Sequence, residues 1–156
     1  MSRVYTASGS FTRPSDTTPY SAGDLVANST TAGSVAPITL AFPNGQNSAV
    51  RNITLKKTKV DLTNASFNLW FFGSSPTVTN GDNGAFAGNF LSSILFEPVR
   101  VDFAATATGS GVIGTSLFSD ALLLLPATSY VLLEALAGYT PASGEVFTLQ
   151  ALGSTL

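Results

Sequence analysis

The chain has 156 residues, no histidine and no cysteine, and only seven Lys or Arg against nine Asp or Glu. These absences exclude a histidine proton shuttle, a cysteine nucleophile and the usual zinc ligands, so we expect no catalytic residue, no metal and no cofactor. A net charge of −2 also argues against a nucleic-acid partner, since the only basic cluster, Lys56, Lys57 and Lys59, has no aromatic residues between its members and fits a solvated edge or loop.

Charged residues make up 10% of the chain, against ~25% in average soluble domains. Two interpretations fit this depletion: strands whose outer faces carry Ser and Thr, or a protein that spends its life in an assembly, where interface cores exclude charge. No run approaches ~18 apolar residues, and the N-terminus lacks the apolar core of a secretory signal. We therefore expect one soluble domain that makes no contact with a membrane.

Short runs of β-branched and aromatic residues alternate with turns rich in Gly, Pro and Asn. Residues 1–22 hold two prolines and many hydroxyl side chains, so we expect an extended N-terminal arm there and a β-sandwich over 23–156. The predicted strands, in chain order, are Gly9–Arg13, Asp24–Asn28, Pro37–Phe42, Asn52–Leu55, Ser66–Phe72, Leu91–Phe96, Val99–Ala104, Ala121–Leu125, Tyr130–Leu136 and Glu145–Leu152. Together they predict an all-β, single-domain antiparallel β-sandwich or jelly roll.

Three local patterns refine this prediction. Ser66–Phe72 is apolar on both faces, so a second sheet should cover one face and a loop or a neighbouring subunit the other. Apolar parity changes between residues 53–55 and 60–62, which predicts a bulge or turn within Lys56–Lys59. Residues 84–90 are compatible with one irregular helical turn.

Two glycine-rich segments resemble ligand-binding loops. Gly109 to Gly114 matches G-x-G-x-x-G with Glu134 twenty residues further on, but no strand–helix–strand frame surrounds it, so a flexible β-loop is the better interpretation. The segment from Asn80 to Gly84 offers a single carboxylate and lacks the terminal glutamate of a calcium loop. It therefore predicts a turn held by Asx-type hydrogen bonds.

An enzyme is one alternative, because two carboxylates can converge across a jelly roll at a separation suited to glycoside cleavage. No aromatic-rich sugar cleft is evident, and a serine nucleophile would have no histidine to activate it, so we expect no enzymatic activity. The carboxylates available for such a pair are Asp82, Glu97, Asp102, Asp120, Glu134 and Glu145.

Three segments carry a family resemblance. Phe11–Val26 resembles an RPxDTTxYxAGDVV opening, and Tyr139–Phe147 resembles YTPxSGEVF. Between them, Leu69–Phe72 followed by Asp82–Phe86 is similar to an LWLF…DNAAF pairing, with Gly84 in place of an alanine. In this order and spacing, the chain resembles a family of small structural proteins of tailed-bacteriophage virions.

The resemblance implies a virion role and no catalytic residues. By analogy of fold and size, it implies a capsid decoration or cement protein that binds the major capsid protein and copies of itself, as a dimer or trimer. Its location would be the capsid surface, after synthesis in the host cytoplasm. Two alternatives stay open: a tail, baseplate or head-fibre component with possible glycan binding, and a stand-alone jelly roll that binds a small molecule.

Interface anchors are enriched in Arg and aromatic residues, and six such residues lie near predicted loops. The extended arm could also add a strand to a neighbour, so deletion of residues 1–20 should leave the sandwich folded and weaken particle binding. The predicted interface residues are Arg13, Tyr20, Trp70, Phe72, Phe86 and Tyr139.

Overall fold

The computed structural model describes residues 3–103, 111–117 and 123–155. Within these ranges the regular secondary structure consists of β-strands and two short 3-10 helices, and no helix has the length and apolar character needed to cross a membrane. The strands are β1 (Val4–Thr12), β2 (Leu25–Val26), β3 (Ile38–Ala41), β4 (Ser48–Lys57), β5 (Ser66–Phe72), β6 (Thr77–Val78), β7 (Gly88–Asn89), β8 (Val99–Asp102), β9 (Val112–Leu117), β10 (Leu123–Leu125), β11 (Thr128–Ala135) and β12 (Val146–Thr155).

Two antiparallel sheets pack face to face. The first has the order β1-β12-β4, and β9 and β10 pair in succession along the far edge of β4. The second has the order β8-β5-β11, and β2 and β3 pair in succession along the far edge of β11. Each sheet therefore has four strand positions, and their connectivity is that of a jelly roll, which confirms the predicted fold class.

The core lies between the sheets because alternate residues of facing strands are apolar. Phe67 of β5 is central to it: its ring meets the rings of Phe103, Tyr139 and Phe147 edge-on, with centroids 5.4 to 5.9 Å apart. Such contacts add to the stabilisation that burial of large apolar side chains provides.

A second apolar layer covers the outer face of the second sheet. Trp70 and Phe72 point outward from β5 and pack against Phe86, Phe90 and Ile94, which belong to the long connection between β5 and β8. This confirms that β5 is covered on both faces, and the cover is a loop of the same chain. The helical turn expected over 84–90 and the strand expected over Leu91–Phe96 are wrong: β7 pairs with β6, and residues 91–93 turn the chain back toward the sheet.

Residues 4–12 form a strand of the sandwich, which contradicts the predicted arm over 1–22 for this part of it. β1 pairs with β12 along its whole length, from Val4 opposite Ser154 to Thr12 opposite Val146. Its inward positions are small or aromatic and its outward positions are mostly Ser and Thr, a pattern that resembles an unstructured tail in the sequence. Deletion of residues 1–20 would remove an edge strand and should destabilise the sandwich.

The glycine motif is also part of a sheet. From residue 112 the chain forms β9, so the flexible loop predicted there is wrong, while Gly109 and Ser110 lie outside the described residues. A Cβ on Gly114 would lie 2.6 Å from Val101 Cγ1, which shows how closely the two sheets approach at this seam. Asp120, and the predicted strand residues 104, 121 and 122, also lie outside the described ranges.

The predicted parity change coincides with the end of β4 at Lys57, where the chain leaves the sheet. A bulge does occur in β4, but it lies at least five residues before the predicted segment Lys56–Lys59. The pairing with β12 shifts between Leu152 and Gly153, so that Arg51 has no direct partner in the register. Arg51 is thereby displayed on the outer face.

Gly9 marks the other seam, where β1 approaches β3. A Cβ at this position would lie 2.6 Å from the carbonyl oxygen of Thr39 and 2.7 Å from Ile38 Cγ2. We expect Gly9→Ala to lower the free energy of unfolding by about 1–3 kcal/mol, because the sheets would have to separate. Urea unfolding measures this effect. Gly33→Ala is the control, since nothing lies within 4 Å of a Cβ there, and an equal loss in both variants would contradict the prediction.

Candidate interaction surface

A buried carboxylate organises one end of the sandwich. Asp82 Oδ2 lies 2.5 Å from Arg13 Nη2, and its Oδ1 accepts hydrogen bonds from the Tyr20 hydroxyl at 2.6 Å and the Ala27 backbone N–H at 2.7 Å. Arg13 Nε also donates to the Tyr20 hydroxyl oxygen. The side chains of Arg13 and Asp82 are both fully buried. The loop around Asp82 is therefore tied to the segment that follows β1.

A second buried carboxylate lies beside the first cluster. Glu145 accepts two hydrogen bonds from the Tyr139 hydroxyl, at 2.7 and 2.8 Å, and its Oε1 lies 3.8 Å from Lys57 Nζ. Lys57 also donates to two backbone carbonyls of the turn after β4. The Tyr139 ring is parallel to that of Tyr20, with centroids 6.4 Å apart. We call the five side chains Arg13, Tyr20, Asp82, Tyr139 and Glu145, together with Lys57, the polar network.

Burial controls the titration of this network. It raises the pKa of both Tyr20 and Tyr139 above the ordinary value of 10, and the adjacent carboxylates raise it further. Burial also lowers the pKa of Lys57, an effect that Glu145 opposes. Both carboxylates are occupied by hydrogen bonds and cations of the same chain, so the network joins segments of the fold and leaves no free acid or base at its centre.

Two further carboxylates that the sequence offered for a catalytic pair, Glu134 and Asp102, also have partners in the same chain. Glu134 accepts hydrogen bonds from Trp70 Nε1 at 2.7 Å and from Asn68, and Asp102 pairs with Arg100 at 3.0 Å on the surface. In the portion of the chain that the structure covers, no three His, Cys, Asp or Glu residues are grouped so that they could hold a metal ion.

Four of the six predicted interface residues are buried within the chain. Arg13, Tyr20 and Tyr139 belong to the polar network, and Phe72 lies in the outer apolar layer, so these side chains are not available to a partner. Their prediction as interface residues is wrong because each side chain is buried against a hydrogen-bonding or aromatic partner that is distant in sequence. Trp70 and Phe86 are half-buried and stack with centroids 5.6 Å apart; for them an interface role stays a prediction.

Sequence reasoning missed the polar network, although a signal was present. The three segments that carry the family resemblance contain Arg13, Tyr20, Asp82, Tyr139 and Glu145, every member of the network except Lys57. Asp82 was expected to be part of a locally held turn. In the structure its side chain instead joins residues 55 and more positions away.

The outer face of the first sheet has no second layer over it among the described residues, in contrast to the outer face of the second sheet. Its central row runs Ser8–Gln150–Thr54–Thr115 across four strands. The rows on either side combine hydroxyl and amide side chains with Lys56, Ile113 and Leu152. We call this surface the open face; it consists of Val4, Thr6, Ser8, Ser10, Arg51, Asn52, Thr54, Lys56, Ile113, Thr115, Leu124, Thr148, Gln150 and Leu152.

Two adjoining depressions lie on the open face. One, of about 320 Å³, is lined by Val4, Arg51 and Leu152 with the two residues that follow Leu152. The other, of about 200 Å³, is lined by Leu152 and by four polar side chains, Thr6, Asn52, Thr54 and Gln150. Leu152 therefore separates an apolar depression that contains a guanidinium from a hydrogen-bonding one. The open face is the candidate interaction surface of this chain.

No protein-family model matches the chain, and no curated protein matches it. Among solved structures, a chain of the cyanophage Pam1 capsid asymmetric unit is similar with a TM-score of 0.44 and 12% identity, over 99% of this chain and 86% of that one. A chain of the Ralstonia phage GP4 capsid is similar with a TM-score of 0.45 and 18% identity, over 98% and 84%. Structural similarities with TM-scores below 0.5 assign neither a family nor a function to this chain.

Asp82→Asn tests the importance of the polar network. Removing the carboxylate charge leaves the Arg13 guanidinium buried without its ionic partner, so we expect the free energy of unfolding to fall by about 3–5 kcal/mol. Asp102→Asn is the matched control: this carboxylate also pairs with an arginine, but its side chain is 61% exposed, and its loss should cost less than about 1 kcal/mol. Chemical denaturation of both variants measures the difference. Similar losses would show that Asp82 has no special role.

The two buried tyrosines predict a loss of stability in alkali. Above pH 10.5 the unfolded chain releases the protons of Tyr20 and Tyr139, whereas the raised pKa values keep both hydroxyls protonated in the folded chain. Stability therefore falls as pH rises, by about 1.4 kcal/mol per pH unit for each tyrosine. The lowered pKa of Lys57 acts with the opposite sign, but only below its ordinary value of 10.5.

Urea midpoints between pH 10.5 and 11.5 measure this slope. Tyr139→Phe removes one of the two titrating groups, so we expect the part of the slope due to the pair to fall by about half. A slope that is the same in Tyr139→Phe and in the original chain would show that the Tyr139 hydroxyl ionises equally in both states.

Proposed function

We propose that this chain is a structural protein of a tailed-bacteriophage virion, and that it decorates the outside of the capsid as a cement protein. The observation that carries the proposal is the coincidence between the family resemblance and the polar network. The resembling segments are distant in sequence, yet they supply Arg13, Tyr20, Asp82, Tyr139 and Glu145, which meet at one end of the sandwich. A resemblance at residues that hold distant segments of the fold together supports shared ancestry better than a resemblance at surface positions.

The chemistry of the side chains supports a passive role. The chain has neither histidine nor cysteine, and the buried carboxylates Asp82 and Glu145 are occupied by partners of the same chain. In this proposal the chain is not an enzyme, and it acts without a metal or cofactor. A rigid jelly roll with a broad hydrogen-bonding face has the properties required of a protein that holds neighbouring subunits together.

In this proposal the partner is the major capsid protein, and the chain also associates with itself as a dimer or trimer. Each copy buries polar and apolar surface across a junction between capsid subunits, so that internal pressure has to break these contacts before the shell opens. Individual contacts can be weak, because a lattice presents many sites at once and multivalency multiplies their effect. The protein is made in the host cytoplasm and ends on the capsid surface.

Particles assembled without this chain provide the test. We expect them to release their DNA at a lower temperature than complete particles, and we expect purified chain to restore the higher temperature when it is added back. A dye that fluoresces on released DNA measures the transition, and bovine serum albumin at the same concentration is the control for nonspecific protection. An unchanged release temperature combined with a loss of adsorption to host cells would overturn the cement role in favour of a tail or head-fibre component.

A further inference from the structure

The open face has an unusual charge pattern. Arg51 and Lys56 are its only charged side chains, and every carboxylate of the described ranges lies elsewhere in the fold. No residue in the described part of the chain forms a hydrogen bond or ion pair with the side chain of either cation. The face is thus cationic on a chain whose net charge is −2. A partner that covers it gains most if it supplies carboxylates.

The surroundings of Arg51 define the partner more closely. The bulge in β4 places Arg51 in a depression with Val4, which is 69% exposed, and Leu152, which is 41% exposed. A guanidinium binds a carboxylate through two parallel hydrogen bonds, and the apolar wall beside it favours an aliphatic side chain next to that carboxylate. The adjoining depression offers the hydroxyl and amide groups of Thr6, Asn52 and Gln150, which can pair with peptide groups.

The size and charge of the face argue against a second copy of this chain as its occupant. The face presents 14 side chains, whereas each partner contributes about 20–30 residues to a stable interface. A two-fold pair through this face would also bring the cations Arg51 and Lys56 toward those of the other copy with no carboxylate between them. An extended segment of about six residues, by contrast, spans ~20 Å and fits along both depressions.

We propose that the open face binds an extended acidic peptide segment of a neighbouring virion protein; that the segment belongs to a virion rests on the function proposed above. One carboxylate of the segment pairs with Arg51, and an adjacent aliphatic side chain packs against Val4 and Leu152. The peptide backbone hydrogen-bonds to the polar side chains of the second depression, and Lys56 pairs with a further carboxylate. This assigns the open face as the side of the protein turned toward its partner.

Binding of a defined peptide tests the chemistry independently of any virion. The probe is a fluorescein-labelled peptide of alternating Glu and Leu, and anisotropy with the full chain measures its affinity. We expect the double variant Arg51→Glu, Lys56→Glu to bind at least tenfold more weakly, and we expect the affinity of the original chain to fall with added salt. The matched control is Arg100→Glu, an exposed cation of the second sheet, which should stay within twofold of the original.

Three outcomes of the peptide experiment would overturn the inference. They are equal affinity in the double variant, equal binding of a peptide of alternating Lys and Leu, and a self-association that the double variant abolishes. Melting temperatures of all variants are measured alongside. Arg51→Ala, Lys56→Ala replaces the reversed charges if these alone unfold the chain.

Addition of the same variants to particles that lack the chain separates this inference from the proposed function. If the original chain and Arg100→Glu bind the particles and the double charge-reversal variant does not, both proposals are supported. Equal particle binding by all three leaves the virion role in place and overturns the open face as the docking side. If the original chain fails to bind particles, the proposed function fails, and the peptide experiment alone decides the chemistry of the face.

Discussion

The carboxylate of Asp82 is the point on which much of this fold depends. It joins the segment after β1, through Arg13 and Tyr20, to the loop that covers the second sheet, and it accepts a backbone hydrogen bond from Ala27. None of these contacts is local, and all are shielded from water, so each is strong only when the others are in place. Through the stacked rings of Tyr20 and Tyr139, the same constraint reaches Glu145 and the start of β12.

Local patterns in the sequence were sufficient for the fold class. β5 was predicted with its observed ends, because its run of mostly apolar residues is bounded by turn signals on both sides. β1 and β9 were harder: β1 presents Ser and Thr outward and a glycine at its inward centre, and β9 contains Gly114 where the sheets approach. In both strands a glycine stands at an inward position where an apolar side chain would have indicated a strand, because the other sheet lies too close for a Cβ. A contact between distant segments leaves no local pattern in the sequence.

The sequence indicated that a surface with few charges would exist, but it did not indicate which residues form that surface. Depletion of charge was compatible with an interface, yet four of the six Arg and aromatic residues predicted for it are buried within the fold. In a chain with so few charges, long-range ion pairs such as Arg13 with Asp82 use several of them inside the fold. What remains on the first sheet is a hydroxyl-rich face with Arg51 and Lys56 unpaired among the described residues. The buried ion pairs and the cationic character of the open face thus have one origin, which is the placement of a small number of charged groups.

The measurement that tests the account most directly is the copy number of this chain relative to the major capsid protein in purified virions, determined by quantitative mass spectrometry with isotope-labelled peptides. A cement protein on a symmetric lattice requires hundreds of copies in a fixed ratio to the capsid protein. A dozen copies or fewer would assign the chain to a vertex or the tail, and its absence from the particle would contradict the virion role itself.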